Sequence, residues 1–218
     1  MLIKRLAAVL LGVIAAVPVF AQAPPADVIT VGTVPLASAG STVDVPVFIR
    51  DASGTPLGID QPSGMRIQSY SLTVNYAPTS AVQSVTFTRG GITQPLTPAF
   101  ESSPASAGQI SLIDVFNENT NLIPFTSNAA LPGNQVGTLH VTIAPSATTG
   151  TVINLTLDAT LTQLSNQAGT TNETVALNTL TLVPGSILVS TAVPALSTWA
   201  LALLAIALAG IGVALVRR

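Results

Sequence analysis

The eight residues Ser69 to Tyr76, SYSLTVNY, alternate without a break: Tyr70, Leu72, Val74 and Tyr76 fall on one side, Ser69, Ser71, Thr73 and Asn75 on the other. Successive side chains of a β-strand point to opposite faces, so a period of two with one apolar phase specifies a strand buried on one side and wet on the other. INLTLDATL repeats the pattern, with Ile153, Leu155, Leu157, Ala159 and Leu161 alternating with Asn154, Thr156, Asp158 and Thr160. Seven further runs are rich in β-branched or aromatic residues: VITVGTV (28–34), TVDVPVFI (42–49), VQSVTFT (82–88), QISLIDVF (109–116), GTLHVTIA (137–144), TVALNTLTLV (174–183) and SILVS (186–190). Gly, Pro, Asn and Ser clusters separate these nine runs, and no window before Ala192 combines a helical period with caps. The expectation is an all-β domain, a β-sandwich of about nine strands and jelly-roll type. Within TVALNTLTLV the apolar phase slips between Leu177 and Leu180, which predicts a bulge near Asn178 and Thr179. Pro46, inside TVDVPVFI, is expected on an edge strand, where a missing donor does no harm. The segments Arg50 to Met65 and Gly90 to Gly108 are longer than ordinary hairpin loops, and such loops usually carry function or move.

Both ends of the chain are apolar. Lys4 and Arg5, the run Leu6 to Phe20 and the small residues of FAQA have the order of a secretory signal peptide, so residues 1–23 are set apart, with cleavage after Ala21 or Ala23 both acceptable. Trp199 to Val216 is an 18-residue run without a charge, roughly 27 Å as a helix and just enough to cross a hydrocarbon core of about 30 Å. Arg217 and Arg218 follow it and fit the cytoplasmic side, leaving residues 24–192 outside the membrane. That stretch suits one domain and buries about two-thirds of its unfolded surface. It holds all nine acids of the chain against Arg50, Arg66 and Arg89 and has no lysine, a net charge near minus six. Nucleic acid and anionic lipid both need a basic footprint, so neither is an expected partner. The chain has no cysteine, so there is neither a disulfide framework nor a thiolate metal site, and packing alone must hold the fold.

Five stretches in this order resemble a cohesin domain, the module that captures dockerins in cellulosomes and related bacterial assemblies: VGTVPLASAGSTVDVPVFI (31–49), YSLTVNYAPTSAVQSVTFTRGG (70–91), GQISLIDVF (108–116), GNQVGTLHVTIAPSATTGTVINLTL (133–157) and PGSILVS (184–190). Ala77 stands where the family commonly has Asp or Asn after the tyrosine, and the stretch after Arg50 is an insertion. The resemblance covers residues 28–190. It implies a non-catalytic module whose partner is a dockerin-type protein, with no cofactor. The end of the chain is similar to the IPTL type of PEP-CTERM sorting signals. Val193, Pro194, Ala195, Leu196 and Ser197 stand for the I-P-T-L-S motif, Trp199 for the tryptophan of its E-W pair, and Arg217 and Arg218 for the basic tail. Ala195 and Thr198 depart from the usual Thr and Glu. This second resemblance implies processing by an exosortase, a membrane-held stage through the C-terminal helix at the inner membrane, and a final place at the cell surface or outside it. The simpler alternative is an ordinary single-pass anchor.

Catalysis needs converging nucleophiles, bases or ligands, and the chain has one histidine. His140 lies in LHVTI on the phase opposite Leu139, Val141 and Ile143, which reads as a solvent-side strand residue, and no G-x-S-x-G elbow marks a serine. Asp114 and Glu118, with Asn117, Asn119 and Asn121, offer oxygens for calcium, yet their spacing matches no EF-hand loop and a polar turn is the simpler reading. The sequons at Asn154 and Asn172 read as chance in a bacterial chain. Polysaccharide binding, the second functional reading, needs exposed aromatic platforms. Tyr70, Tyr76, Phe87 and Phe116 sit on apolar phases, which leaves Phe100 and Phe125, in loops, as the residues free to stack on a sugar.

Overall fold

The structure, a computed structural model, describes residues 25–191. The expected leader (1–23), the sorting motif and the apolar run Trp199 to Val216 lie outside the described residues. Among the described residues no helix is long and apolar enough to cross a membrane. The strands are β1 Asp27–Val31, β2 Thr33–Ser38, β3 Thr42–Arg50, β4 Ser69–Ala77, β5 Val82–Arg89, β6 Phe100–Ser102 and β7 Ala105–Ser106, followed by β8 Gln109–Val115, β9 Asn134–Ile143, β10 Val152–Leu157, β11 Gln163–Ser165, β12 Asn172–Glu173, β13 Leu180–Val183 and β14 Gly185–Ser190. Among the described residues, helical structure is confined to the single 3-10 turns Thr79–Ala81 and Gly91–Thr93.

The strands form two sheets. One runs β13-β1-β3-β9-β5; the other runs β2-β14-β10-β4 and continues through β8 to β6 and β7, with β11 and β12 extending it beside the first residues of β4. The apolar phases read from the sequence meet between them. Tyr70, Leu72 and Val74 of β4, Ile110 and Leu112 of β8, and Ile153 and Leu155 of β10 face Ile29 of β1, Val45, Val47 and Ile49 of β3 and Leu139, Val141 and Ile143 of β9, all fully or almost fully buried. Each such Ile or Leu contributes about 1.5–3 kcal/mol, enough in number to hold a domain that has no disulfide.

Where the structure departs from the expected nine strands, local chemistry explains it. VITVGTV is one run in the sequence but two strands in two sheets, cut at Gly32: β1 pairs antiparallel with β3, while β2 pairs parallel with β14. At the cut, a Cβ on Gly32 would stand 2.8 Å from Pro46 Cδ, and a Cβ on Gly185 would collide with the Gly32 carbonyl, so the crossover demands glycine at both positions. Pro46 is therefore in an interior strand, contrary to the edge position expected. It is tolerated because its carbonyl accepts from Gly32 N at 2.8 Å where β1 peels away, so its absent donor points at the crossover and costs no ladder bond. The strand expected to run to Leu161 stops at Leu157. Asp158 Oδ1 accepts from Thr160 N, Thr160 Oγ1 and Leu161 N at 2.9, 2.7 and 3.1 Å, and this Asx turn pulls Leu161 out to 51% exposure. Thr174 to Thr179 is likewise a turn and not a bulged strand. Asn178 has φ +56°, Thr179 N donates to Thr174 O, and the phase slip marks the start of β13. Four short strands, β6, β7, β11 and β12, were not marked by any alternation, because two or three residues cannot display a period.

Candidate functional site

The strands of the larger sheet put no charge on its outward face, where the carboxylate of Asp158, in the turn after β10, stands beside Asn75. The nine strands contain three charged residues: Asp114 and Glu173 are buried, and Glu101 is in register with Asp114 on the inward phase. The middle of the face consists of hydroxyls and amides in cross-strand pairs. Thr73 and Ser111 Oγ atoms lie 3.0 Å apart, and Gln109 Nε2 donates to Asn75 Oδ1 at 2.9 Å. Ser71 on β4 and Asn154 and Thr156 on β10 continue it. Apolar side chains occupy two opposite corners. Phe100, 53% exposed, pairs with Val115 at one, and Val152 pairs with Leu188 at the other. Such a face, a polar lattice flanked by aliphatic and aromatic anchors, suits packing against a flat surface.

The outward face of the smaller sheet is different. His140 of β9 bonds Asp44 Oδ1 of β3 through Nδ1 at 2.6 Å and Thr88 Oγ1 of β5 through Nε2 at 3.1 Å. Thr42 and Thr142 hydroxyls meet beside them at 2.9 Å. His140 is thus the solvent-side strand residue expected. Carboxylate, imidazole and hydroxyl stand in relay order, but the surroundings supply no chemistry. β9 is hydrogen-bonded on both sides, by β3 and β5, so its amides are committed to ladders and form no oxyanion hole. The described pockets lie elsewhere, one lined by Gly64, Glu118, Gln167 and Ala168, the other around Pro78, Ala81 and Thr151.

Two groups of buried acids lie between and beside the sheets. Beneath the outward face of the larger sheet, Asp114 is next to Tyr70 and Glu101. Neither oxygen of Asp114, nor the Tyr70 hydroxyl, has a partner in strict hydrogen-bond geometry, although they are close enough to act on one another. Burial pushes the Asp114 carboxyl up to about 6; Tyr70 pulls it down, Glu101 adds to the rise, and Arg89 opposes it. Arg89 itself is engaged with Glu101 Oε1 at 3.0 Å and with the carbonyls of Thr93 and Leu96 at 2.7 and 2.9 Å, over the Phe116 ring. At one end of the sandwich, Asp27, Asp51 and Glu173, all 0% exposed, hold the amides of the loop after β3: Ala52 N to Asp27 at 2.8 Å, Ile59 N to Asp51 at 2.8 Å and Leu57 N to Glu173 at 2.7 Å. Burial pushes Asp27 up to about 9, and the Glu173 carboxyl facing it adds to the rise; burial raises Asp51 and Glu173 too.

The expected calcium and sugar residues fall apart. Asp114 is buried, whereas Glu118 accepts from Gly64 N at 2.7 Å; Asn117 caps the amides of Asn119 and Thr120, and Asn121 accepts from Thr97 N, so this segment is a polar turn. Phe125 is 6% exposed and belongs to the core, so it is not free to stack; Phe100 is exposed. The sequence did hold a signal for the buried acids that charge counting missed. Asp27 extends the phase of Ile29 and Val31, Asp51 that of Val45, Val47 and Ile49, and Asp114 that of Ile110 and Leu112.

Comparison with known proteins accords with this architecture. The third cohesin of ScaC from Acetivibrio cellulolyticus, solved with the ScaB dockerin, is 19% identical, with TM-score 0.54 over 76% of this chain and 99% of that one. The cohesin CaCohA2 of Clostridium acetobutylicum is 18% identical, TM-score 0.54, over 78% and 95%. The OlpC cohesin of Clostridium thermocellum, solved with the Doc435 dockerin, is 17% identical, TM-score 0.53, over 79% and 98%. The described domain therefore has a cohesin-like fold. Residues 191–218 match the IPTL-CTERM motif, so the chain is a cohesin-like protein with a C-terminal sorting signal. No curated protein matches it.

Proposed function

We propose that residues 24–192 are a non-catalytic binding module that captures a protein partner of dockerin type on the outward face of the larger sheet. One observation carries this reading: a cohesin-like sandwich keeps every charge of the nine strands of that sheet off the outward face, leaving there the Asp158 carboxylate of the turn after β10, while apolar anchors stand at two corners of it. Solved cohesins of this fold are in complex with dockerins. The leader (1–23) exports the chain, the tail (193–218) holds it in the inner membrane, and an exosortase-type enzyme then releases it to the surface. Immobilised protein should retain a dockerin-bearing protein from an extract of the same cell, and capture should vary only modestly with salt, because the strands of the face carry no charge to screen and Asp158 stands in the turn beside them. Failure to retain one sinks the partner assignment. Deleting residues 193–218 should release the domain to the periplasm or medium.

The second reading, a surface or matrix adhesin that binds polysaccharide, rests on Phe100. Glycan binding that disappears in Phe100→Ala with protein capture intact would favour it.

A further inference from the structure

The loop Asp51 to Asp60, DASGTPLGID, has no strand of its own and is held by carboxylates at its amides. Asp27, Asp51 and Glu173 each give one oxygen to that task, and the other oxygen of each, Asp27 Oδ2, Asp51 Oδ1 and Glu173 Oε2, is buried without a donor. The cation beside Asp51, Arg50, directs its Nε to Ala129 O instead. Buried carboxylates without neutralisation cost several kcal/mol each, so either protons or a cation must balance them.

The inner pair takes a proton. Asp27 and Glu173 face each other within hydrogen-bonding range, and one shared proton satisfies both free oxygens. Asp51 is different, because the carboxylate facing it, Asp60, is exposed, so water and ions reach the pair. Asp51 Oδ1 and Asp60 Oδ1 each lie 2.7 Å from the point where a Cβ on Gly58 would stand. The two oxygens are thus no more than 5.4 Å apart, twice that distance. Gly58, with φ +153°, has no Cβ to hold the two carboxylates apart, and Asp60 stands on the solvent side of the pair. Two carboxylate oxygens thus face each other over Gly58, and the buried one has no partner.

We propose that Asp51 and Asp60 bind a divalent cation of the calcium class between their facing oxygens, tying the two ends of the loop together. Only oxygens are present, which suits a hard cation and not zinc; such an ion takes six to eight oxygens at about 2.3–2.6 Å, so carbonyls and water complete its shell. Among the described residues no three acidic or imidazole side chains gather in metal-binding geometry. A two-carboxylate site belongs at the weak end of the calcium range, Kd about 10⁻⁴–10⁻³ M. The site is at the end of the sandwich and does not depend on what the sheet face binds.

The test is calcium titration of the EDTA-treated full-length chain in detergent, read as the thermal unfolding midpoint, with magnesium as the comparison ion. The midpoint should rise by a few degrees and saturate by about 10 mM calcium, with a smaller response to magnesium. Asp60→Asn changes an exposed residue, so the fold survives, and it should weaken the calcium response at least tenfold; Asp51→Asn should do the same. Asp44→Asn on the smaller sheet should leave it unchanged. A midpoint that does not move up to about 10 mM calcium, or one that moves equally in Asp60→Asn, overturns the site.

Discussion

The two outward faces of this sandwich solve the same problem in opposite ways. Both are made of strands whose inner phase is apolar, and both pair polar side chains across strands. The smaller sheet includes charge: Asp44, His140 and Thr88 satisfy one another in a chain of 2.6 and 3.1 Å contacts. The strands of the larger sheet put no charge outward and keep Asp114 and Glu173 inside, with the Asp158 carboxylate in the turn after β10. A carboxylate must be desolvated before anything can dock over it, whereas hydroxyl and amide pairs give up water at lower cost. On the proposed reading the larger sheet is the face for a partner and the smaller one a solvated back.

What keeps the faces distinct is the crossover at Gly32, where one sequence run serves both sheets. The largest effect is expected there. Gly185→Ala drives a methyl into the Gly32 carbonyl, which the backbone cannot yield without shifting β1 against β14. The cost should be about 3 kcal/mol or more, seen as a lower midpoint in urea unfolding. A variant as stable as the parent would mean that the two sheets are not pinned at this point. The next effect tests the face assignment. Ser111→Arg places an unpaired charge in the middle of the neutral lattice and should weaken partner capture about 100-fold, whereas Thr86→Arg on the opposite sheet should change it less than twofold. Equal losses from both would remove the distinction between the faces.

Asp114 sharpens the comparison from beneath. Its folded pKa of about 6 stands above the ordinary 3.8, so the folded state prefers the protonated form. The stability this contributes is complete below pH 3.8 and is lost as the pH rises through 6. Two units at about 1.4 kcal/mol each make this ~2–3 kcal/mol. Glu101, Arg89 and Tyr70 are the groups that face it. Unfolding midpoints should fall between pH 4 and pH 7, and Asp114→Asn should flatten that slope, since the amide stays neutral throughout. An unchanged slope in Asp114→Asn would assign the pH dependence to the acids at the end of the sandwich.

Much of this was legible in the sequence because a half-buried strand writes its burial into every second residue. Tyr70, Leu72 and Val74 lie inward as their phase requires, and the order of the long strands followed the resemblance. The misses are of two physical kinds. Where a strand ends by side-chain capture of its own backbone, as at Asp158, or where a left-handed residue such as Asn178 turns the chain, the apolar period runs on past the true end. Where two strands share one run, as at Gly32, the period persists and only the partner changes, which no alternation records. Phe125 was misplaced for a third reason: a loop residue carries no phase, so its burial depends on contacts remote in sequence. The buried acids were visible in phase with Ile29, Ile49 and Leu112, yet counting charge hid them.

The smallest effect concerns the back of the molecule. The Asp44 and His140 contact is short, but Asp44 keeps 70% of its side chain exposed and His140 34%, so water and salt compete for both partners. Exposed pairs of this kind contribute about 0–1 kcal/mol. Thr88 also bonds His140, so removing the carboxylate leaves the ring one of its two partners. Asp44→Asn should therefore shift the unfolding midpoint by under about 1 kcal/mol, and less still in high salt, with partner capture unaltered. A double-mutant cycle of Asp44→Asn with His140→Gln measures the pair itself. A coupling well above 1 kcal/mol, or any loss of capture in either single variant, would turn the supposed back into a working face and reverse the comparison.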